Sequence, residues 1–389
     1  MDFFAQTPFF RFVKNTIYFV LKLWYNIHIR NYEGGSAMEG SIFTGYWGNY
    51  HIQGIAVDKK RGYIYYSFTT KLVKATLDGK IIGSVDGIVG HLGCIAFNEE
   101  DGCVYGSLEY KNDAIGKGVL HGLNTELDYD DSFYAVRFDA ARIDRLGIIA
   151  ENNDIMTALY LKEVVSDYNG VGINKKGETV PHKHGCSGID GLTFGPIPGG
   201  GGYYMFVAYG IYGDTERQDN DHQVILCYDV KDWNKYAKPI DQKSMHHSGP
   251  ENPDHKFFFY TGNTEYGVQN LEYDSFTNSF FLAVYRGGKP EFPNYSMFAI
   301  DASVSPVLKS IEGSDTHVET LAMKKMGEHD EKTGLYGWFF PYGATGMYSY
   351  GDSRWLFSHN GKSENGQYSY ITPYEWDEKH PFICSGEEK

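Results

Sequence analysis

The chain has little cysteine, few positive charges and no long uninterrupted hydrophobic run. Only five of its 389 residues are cysteine, and none of them stands in a CxxC pair, so the spacing predicts neither a disulfide framework nor a zinc knuckle. Lys and Arg total 35 against 50 Asp and Glu, which gives a formal net charge of -15. Because nucleic-acid binding depends on clustered positive charge, we expect no nucleic-acid partner.

Several common catalytic motifs are also missing. The chain has no P-loop, no GxGxxG dinucleotide turn, no HExxH helix and no GxSxG elbow. The run Gly199–Gly202 leads into a predicted strand, so we interpret it as a turn and not as a phosphate-binding loop. The function must therefore be predicted from the fold and from the positions of titratable residues.

The N-terminal segment is hydrophobic but interrupted. Between Phe9 and Ile29 the interrupting residues are Arg11, Lys14, Asn15 and Lys22. They leave no uncharged span long enough to cross a membrane, and they lie inside the apolar region, unlike the basic residues of a signal peptide. We expect residues 1–40 to form a helical extension, with an interfacial amphipathic anchor at residues 9–29 as the alternative. With scattered free thiols, this favours a cytoplasmic protein, and peripheral membrane attachment is the alternative.

A short phrase of residues recurs along the rest of the chain. It is first seen as His51-Ile52-Gln53-Gly54-Ile55-Ala56-Val57-Asp58, and looser copies begin at His91, Ile189, Gln269 and Thr345. The aligned positions are Gly54, Cys94, Gly191, Asn270 and Gly346. Such a repeat indicates one supersecondary unit that recurs along the fold.

Each repeat predicts a small antiparallel sheet. In the first repeat the predicted strands are Ile52–Val57, Tyr63–Phe68, Leu72–Leu77 and Ile81–Val85. A four-stranded meander of about 40 residues is the size of one propeller blade. The fourth repeat is predicted to end with a strand at Gly337–Phe340. The segment Asp154–Tyr168 has apolar residues at helical spacing, and this predicted helix could hide a degenerate blade.

The fifth repeat supplies three strands, at Gly346–Tyr350, Trp355–Phe357 and Gln367–Pro373. The segment Ser41–Tyr46 can provide a fourth strand, and the ring would then have no open edge. We therefore predict an all-β fold, a five-bladed β-propeller closed by pairing of its N- and C-terminal strands. It forms a single domain over residues 41–389, and a six-bladed ring is the alternative.

The first blade also resembles a known pattern. The phrase Gly54–Asp58, followed by Gly62-Tyr63-Ile64-Tyr65-Tyr66 and Leu77-Asp78-Gly79, resembles the blades of NHL, YWTD and SMP-30-type propellers. The resemblance covers one blade closely and the others in outline. It implies the fold and no particular chemistry, because such propellers include hydrolases, lyases, binding proteins and scaffolds.

In a meander the start of the innermost strand lies beside the end of the second strand, so residues at both places reach the same mouth of the channel. The predicted catalytic residues there are His51, His91, Glu109 and Asp190. The histidines would transfer protons or bind a ligand, and the carboxylates would act as general acid and base or bind a cation. The predicted substrate-binding residues are Gln53, Tyr110, Gln269, Tyr285, Arg286 and His359.

Insertions after second strands would rise from this same face, where functional loops concentrate. They are Lys111–Asp131, Tyr212–Asp221, Gly287–Asn294 and Gly361–Gly366. The His-x-His pair His182 and His184 would place two rings on one face of a strand, which is a common metal-ligand arrangement. A divalent cation, either calcium or a transition metal, is therefore a candidate cofactor.

These residues predict an enzyme with a His and carboxylate site at the channel mouth. It would hydrolyse or eliminate on a small polar substrate, with a saccharide as the preferred candidate, and metal assistance is one form of this hypothesis. The alternative is a non-catalytic propeller scaffold that binds a glycan or a protein at the same rim.

Overall fold

The computed structural model describes residues 40–377 and 381–385. Residues 1–39 lie outside this part, and so do the predicted N-terminal helix and the alternative anchor at residues 9–29. Within the described ranges, no helix is both long enough and apolar enough to cross a membrane.

Blade one is a regular four-stranded meander. From the axis outward its strands are Gly54–Asp58, Tyr63–Phe68, Lys71–Thr76 and Ile81–Asp86. Gly62 and Gly79 occupy the first and third turns with φ values of 71° and 88°, a conformation that glycine adopts without a steric penalty. The short strand Ile148–Ile149 adds a parallel outer edge. The predicted strands of this blade are confirmed.

Blades two and three are longer versions of the same unit. Blade two has the strands His91–Asn98, Cys103–Tyr110, Ser132–Phe138, Met156–Tyr160 and Lys238–Pro239. Blade three has the strands Cys186–Pro196, Tyr203–Ile211, His222–Tyr228, His255–Tyr260, Val318–Thr320 and Val307–Lys309. A separate hairpin pairs Val171–Ile173 with Thr179–Pro181.

Blade four has three regular strands, Thr264–Asp274, Ser279–Arg286 and Met297–Asp301. The segment predicted as the fourth strand, Gly337–Phe340, lies along the outer edge of this blade, where Trp338 bridges Met297 and its N–H donates to the Met297 carbonyl over 2.9 Å. The prediction is confirmed in position, but the segment does not form a regular strand. Beside it, Glu328–His329 pairs with Tyr336–Gly337.

Blade five contains both ends of the described chain. Its strands are Met347–Ser349, Arg354–Ser363, Gly366–Glu375, Ile42–Phe43 and Ile383–Cys384. The predicted insertion Gly361–Gly366 is instead part of a hairpin, since the two long strands run through it.

In the part of the chain that the structure describes, three α-helices lie outside the blades: α1 at Ala114–Gly122, α2 at Lys162–Asn169 and α3 at Trp233–Tyr236. The same part contains three single turns of 3₁₀-helix, at Ala140–Arg142, Lys183–Gly185 and Val230–Asp232. The helix predicted at Asp154–Tyr168 is wrong in its first half, which forms an outer strand of blade two. Met156, Ala158 and Leu159 of that strand are all buried, so both faces are covered and the apolar residues do not alternate.

The five blades form a closed ring. The inner strand of each blade contacts the inner strand of the next, and the inner strand of blade five contacts that of blade one. At the closure Ile42 pairs with Ile371 and Phe43 pairs with Tyr370. The hydroxyl of buried Thr44 donates to the Ser369 carbonyl over 3.1 Å and accepts from the Ser369 N–H over 2.9 Å. The predicted five-bladed ring and its closure are confirmed.

Neighbouring inner strands approach each other closely at the aligned position of the repeat. A Cβ added to Gly54 would lie 2.7 Å from the backbone nitrogen of Ile95, and one added to Gly346 would lie 2.7 Å from a side-chain carbon of Ile55. Real Cβ atoms almost never come so near another heavy atom. Glycine is therefore required at these positions by the width of the ring.

Two repeats carry a polar side chain at this position and use it to join blades. The Asn270 amide donates to the Gln53 carbonyl over 2.9 Å and to the Ala344 carbonyl over 3.1 Å. The Cys94 thiol donates to the Leu192 carbonyl over 3.3 Å. Each of these buried groups has a partner on another blade, so the axis of the ring is packed and hydrogen-bonded.

We expect Gly54→Ala to lower the free energy of unfolding by about 1–3 kcal/mol, because its methyl group must push the inner strands of blades one and two apart. Urea unfolding of both proteins measures the difference. Gly288→Ala is the control, because its Cβ would meet only Thr215, at an ordinary 3.6 Å. Equal losses in the two variants would contradict this account of the repeat.

Candidate functional site

A cavity of about 480 Å³ lies at one mouth of the channel, where inner strands begin and second strands end. Seven of the residues predicted from the sequence line it: His51, Gln53, His91, Glu109, Asp190, Gln269 and Tyr285. A cavity of this size is within the range of small-molecule sites. The strand pairing explains this convergence, since His91 opens the inner strand of blade two and lies opposite Glu109 on the second strand.

A bulge in blade three adapts the neighbouring strand to Glu109. The pairing register shifts between Ile189 and Leu192, and the Ile189 N–H donates to Glu109 Oε2 over 3.1 Å. Gly188 has a φ of 126°, and a Cβ there would lie 2.1 Å from the same oxygen. The bulge therefore supplies a backbone donor and the space for this carboxylate, and it also carries Asp190 into the cavity.

Lys111 is the counter-ion of Glu109. Its Nζ lies 2.7 Å from Glu109 Oε1 and 3.5 Å from Asp113 Oδ2, and it donates to the Ser187 carbonyl over 2.8 Å. Burial by itself would lower the pKa of Lys111, but the two carboxylates outweigh burial and raise it. Lys111 is therefore a buried, charged ammonium group.

The two carboxyl groups of the cavity differ in their surroundings. Burial raises the pKa of Glu109, and the Lys111 charge and the Ile189 N–H oppose this shift. Burial, followed by the charge of Glu109, raises the pKa of Asp190 well above its usual value. Since Glu109 has the cation at 2.7 Å, it is the better place for the negative charge, and Asp190 is the better place for a proton.

His91 lies between the two carboxyl groups and is uncharged. Its Nδ1 is 3.7 Å from Glu109 Oε1 and 3.9 Å from Asp190 Oδ1, beyond hydrogen-bonding distance. Burial, followed by the charge of Lys111, lowers the pKa of His91 to about 3. Among the described residues this Nδ1 has no hydrogen-bond partner. It is therefore a buried polar atom that faces both carboxyl groups.

His51 is also uncharged, because burial lowers its pKa. Its Nε2 lies 3.3 Å from the amide nitrogen of Gln53, which also donates to the Thr69 hydroxyl over 3.1 Å. Since the amide nitrogen is a donor, His51 Nε2 is assigned as the acceptor and its proton as residing on Nδ1.

Helix α1 forms an apolar wall of the cavity. The wall consists of Ala114, Ile115, Gly118 and Val119, which fall on one helical face at spacings of one and four residues. The helix begins after Asp113, whose Oδ1 accepts from the N–H groups of Ile115 and Gly116. The Tyr50 hydroxyl donates to the Val119 carbonyl over 2.8 Å. Both ends of the wall are therefore anchored.

Two exposed tyrosines lie at the rim of the cavity. Tyr266 and Tyr285 are 40% and 38% exposed, and both line the cavity. Tyr266 has a φ of 58°, a conformation that is uncommon for an aromatic residue and is often retained at functional sites. The Gln269 amide donates to the Tyr266 carbonyl over 2.9 Å, which links this strained residue to the cavity floor.

Three of the predicted substrate-binding residues lie elsewhere. Tyr110 is fully buried in the core with its hydroxyl donating to Gln242, because it faces the opposite side of the strand from Glu109. The Arg286 guanidinium is 4.6 Å from the centre of the Phe339 ring, and its Nε donates to the Asn294 carbonyl. His359 stacks on Tyr342 with ring centres 3.7 Å apart. The sequence predicts all three at the mouth of the channel, but none of them lines this cavity.

The His182 and His184 pair does not lie on one face of a strand. The two residues flank Lys183 in a 3₁₀ turn with φ values of 66° and 54°. His182 Nδ1 lies 2.6 Å from the Tyr168 carbonyl, and the His184 ring packs edge-on against Phe258. Over residues 40–377 and 381–385, no three His, Cys, Asp or Glu side chains are placed to hold a metal ion. The geometry thus gives no support to a metal role for this pair.

Sequence reasoning missed Lys111, helix α1 and Tyr266. Lys111 could have been found, because residues two apart on a strand share a face and Glu109 was already a candidate. The contribution of α1 depends on how an insertion folds back over the mouth, and that of Tyr266 depends on a local bulge. Neither leaves a pattern in the sequence.

No protein-family model matches the chain, and no curated protein matches it. Among solved structures, a GH43 β-1,3-galactosidase with galactodeoxynojirimycin is 11% identical, with a TM-score of 0.41 and coverage of 88% of this chain and 97% of that chain. The Dos1 propeller is 10% identical, with a TM-score of 0.33 and coverage of 89% and 74%. Similarity this weak carries no information about activity, and the five-bladed assignment rests on the strand pairing described above.

We expect Asp190→Asn to raise the free energy of unfolding at pH 7 by at least about 1 kcal/mol. Folding raises the pKa of Asp190, so the folded wild type holds a proton that the unfolded chain releases above its normal pKa near 4. This proton stabilises the folded wild type at low pH, and its stabilising effect is lost as pH rises. The side chain of Asp190→Asn does not ionise, so the variant does not lose stability in this way. Urea unfolding at pH 4 and pH 7 measures the difference.

The gain in the free energy of unfolding should be smaller at pH 4, where about half of the unfolded chains already carry a proton on Asp190. Asp144→Asn is the control, because this carboxylate is 67% exposed and pairs with exposed Arg145. If Asp190→Asn were no more stable than wild type at pH 7, the assignment of the proton to Asp190 would be wrong.

Proposed function

We propose that this propeller is a glycoside hydrolase, with Asp190 as general acid and Glu109 as its partner carboxylate. One observation carries the proposal: the buried carboxyl group of Glu109 and the partly buried carboxyl group of Asp190 share a cavity, and Lys111 Nζ lies 2.7 Å from Glu109 Oε1 while forming no ion pair with Asp190. Acid–base hydrolysis of a glycosidic bond needs one protonated and one ionised carboxyl group. Environments that separate two such pKa values are typical of acid and base assignments.

In this mechanism Asp190 donates its proton to the oxygen of the leaving group as the glycosidic C–O bond breaks. Glu109 either removes a proton from the attacking water or attacks the anomeric carbon itself, depending on the separation of the carboxyl groups around the bound sugar. Its charge is stabilised by Lys111 and by the Ile189 N–H. Neutral His91, with Nδ1 near both carboxyl groups, would hydrogen-bond to the substrate or to the attacking water.

The rest of the lining supports a sugar as substrate. Gln53 and Gln269 offer side-chain amides, which can donate to and accept from hydroxyl groups. Tyr266 and Tyr285 offer exposed rings at the rim, and an aromatic ring beside a hydroxyl suits the apolar face of a pyranose. A glycan-binding protein without activity is the second candidate, and these same amides and rings favour it.

We expect Asp190→Asn and Glu109→Gln each to lower kcat/KM by a factor of about 10²–10⁴ on chromogenic glycosides, the usual contribution of general acid–base groups. The raised pKa of Asp190 should move the alkaline limb of the kcat/KM profile above the range of an ordinary aspartate, because the acid form persists to higher pH. Glu291→Gln, an exposed carboxylate paired with Lys175, is the control and should leave activity unchanged.

Product analysis separates the rival functions. Hydrolysis releases a reducing sugar, whereas elimination leaves an unsaturated sugar that absorbs ultraviolet light. Sugars that bind without being converted would show the glycan-binding protein and would contradict the hydrolase. Full activity in Asp190→Asn would contradict the assigned roles.

A further inference from the structure

The described residues that line the cavity offer no free positive charge to an anionic substituent. Lys111 is the sole Lys or Arg among the described residues that line it, and its ammonium group is engaged by Glu109, Ser187 and Asp113. His51 and His91 have lowered pKa values and are neutral near pH 7. A carboxylate, phosphate or sulfate group on the substrate would therefore lie near the charge of Glu109 without a counter-ion.

The α1 wall adds a second restriction. Its cavity-facing residues, Ala114, Ile115, Gly118 and Val119, carry no polar side-chain atoms. A Cβ added to Gly118 would meet no atom within 4 Å, so this position faces open space. Glycine within a helix is about 1 kcal/mol less favourable than alanine, and here its lack of a side chain leaves room in the cavity.

We propose that the cavity selects an uncharged sugar over its uronic acid or its phosphate ester, and that Ile115 and Gly118 determine this specificity. Ile115 presents an apolar surface to the C–H face of the sugar, and Gly118 leaves space for it. This inference rests on the proposed saccharide function, but it concerns recognition and is independent of the bond-breaking step.

The first test measures binding of galactose, glucose and xylose, and of galacturonic and glucuronic acids, by calorimetry or ligand-observed NMR. Monosaccharides are not hydrolysed, so the result does not depend on catalysis. We expect at least one neutral sugar to bind the wild-type chain at least tenfold more tightly than its matched uronic acid does. Equal affinity for the two members of each pair would overturn the inference.

The second test places a cation on the α1 wall. Ile115 is 38% exposed, so a lysine there can keep its ammonium group hydrated. Ile115→Lys should raise the affinity for the uronic acid relative to the neutral sugar by at least tenfold, while Ile115→Gln, polar but uncharged, should not change this ratio. If Ile115→Lys and Ile115→Gln had the same ratio of affinities for the uronic acid and the neutral sugar, Ile115 would not determine the specificity.

The third test fills the space beside Gly118. Gly118→Phe should abolish binding of the neutral sugar without lowering the melting temperature, and Gly118→Ala, which adds one methyl group, should weaken binding less. Gly118→Leu replaces the phenylalanine variant if that protein is unstable. Full binding by the bulky variants would overturn the role of Gly118.

Failure of the inference and failure of the proposed function give different results. Neutral sugars that bind selectively while their glycosides stay intact would contradict the hydrolase and support the selection. Glycosides of uronic acids cleaved as fast as neutral ones would support the hydrolase and contradict the selection. A chain that neither binds nor cleaves any of these sugars would contradict both.

Discussion

The fold depends on how closely five strands can pack around one axis. At Gly54 and Gly346 the next inner strand is so near that even a methyl group would overlap it. Asn270 fills the same position in blade four and holds the carbonyl groups of Gln53 and Ala344. Because the axis is this narrow, the starts of all five inner strands must converge, and they carry their polar residues into one small volume.

The chemistry of the cavity follows from the close approach of these titratable side chains. Two carboxyl groups and two histidines are partly or fully shielded from water together, and burial is the largest influence on the pKa of each. Lys111 neutralises one carboxylate, so the charge is concentrated on Glu109 and the proton on Asp190. An ordinary set of titratable residues becomes chemically asymmetric through the placement of one cation.

The sequence was most informative where structure is local or periodic. The repeat predicts the inner strands and their ends, and this was enough to bring His51, His91, Glu109 and Asp190 to one mouth. Errors arose where both faces of an element are covered, as in the strand Met156–Tyr160, or where side chains alternate, as at Tyr110. Helix α1 could not be foreseen, because its position is determined by tertiary contacts such as Tyr50 with Val119.

The composition of blade five also bears on how the chain folds. Thr44 and Ser369, which bond across the closure, are 325 residues apart, so a ribosome must deliver nearly the whole described chain before this contact can form. Blades one to four draw their strands from shorter intervals and can assemble during synthesis. Contacts of such large separation form slowly because of the entropy of loop closure. We therefore expect the capture of the N-terminal strand to be a late step of folding, and until then most of one edge of the strand Gly366–Glu375 is open to pairing with other chains.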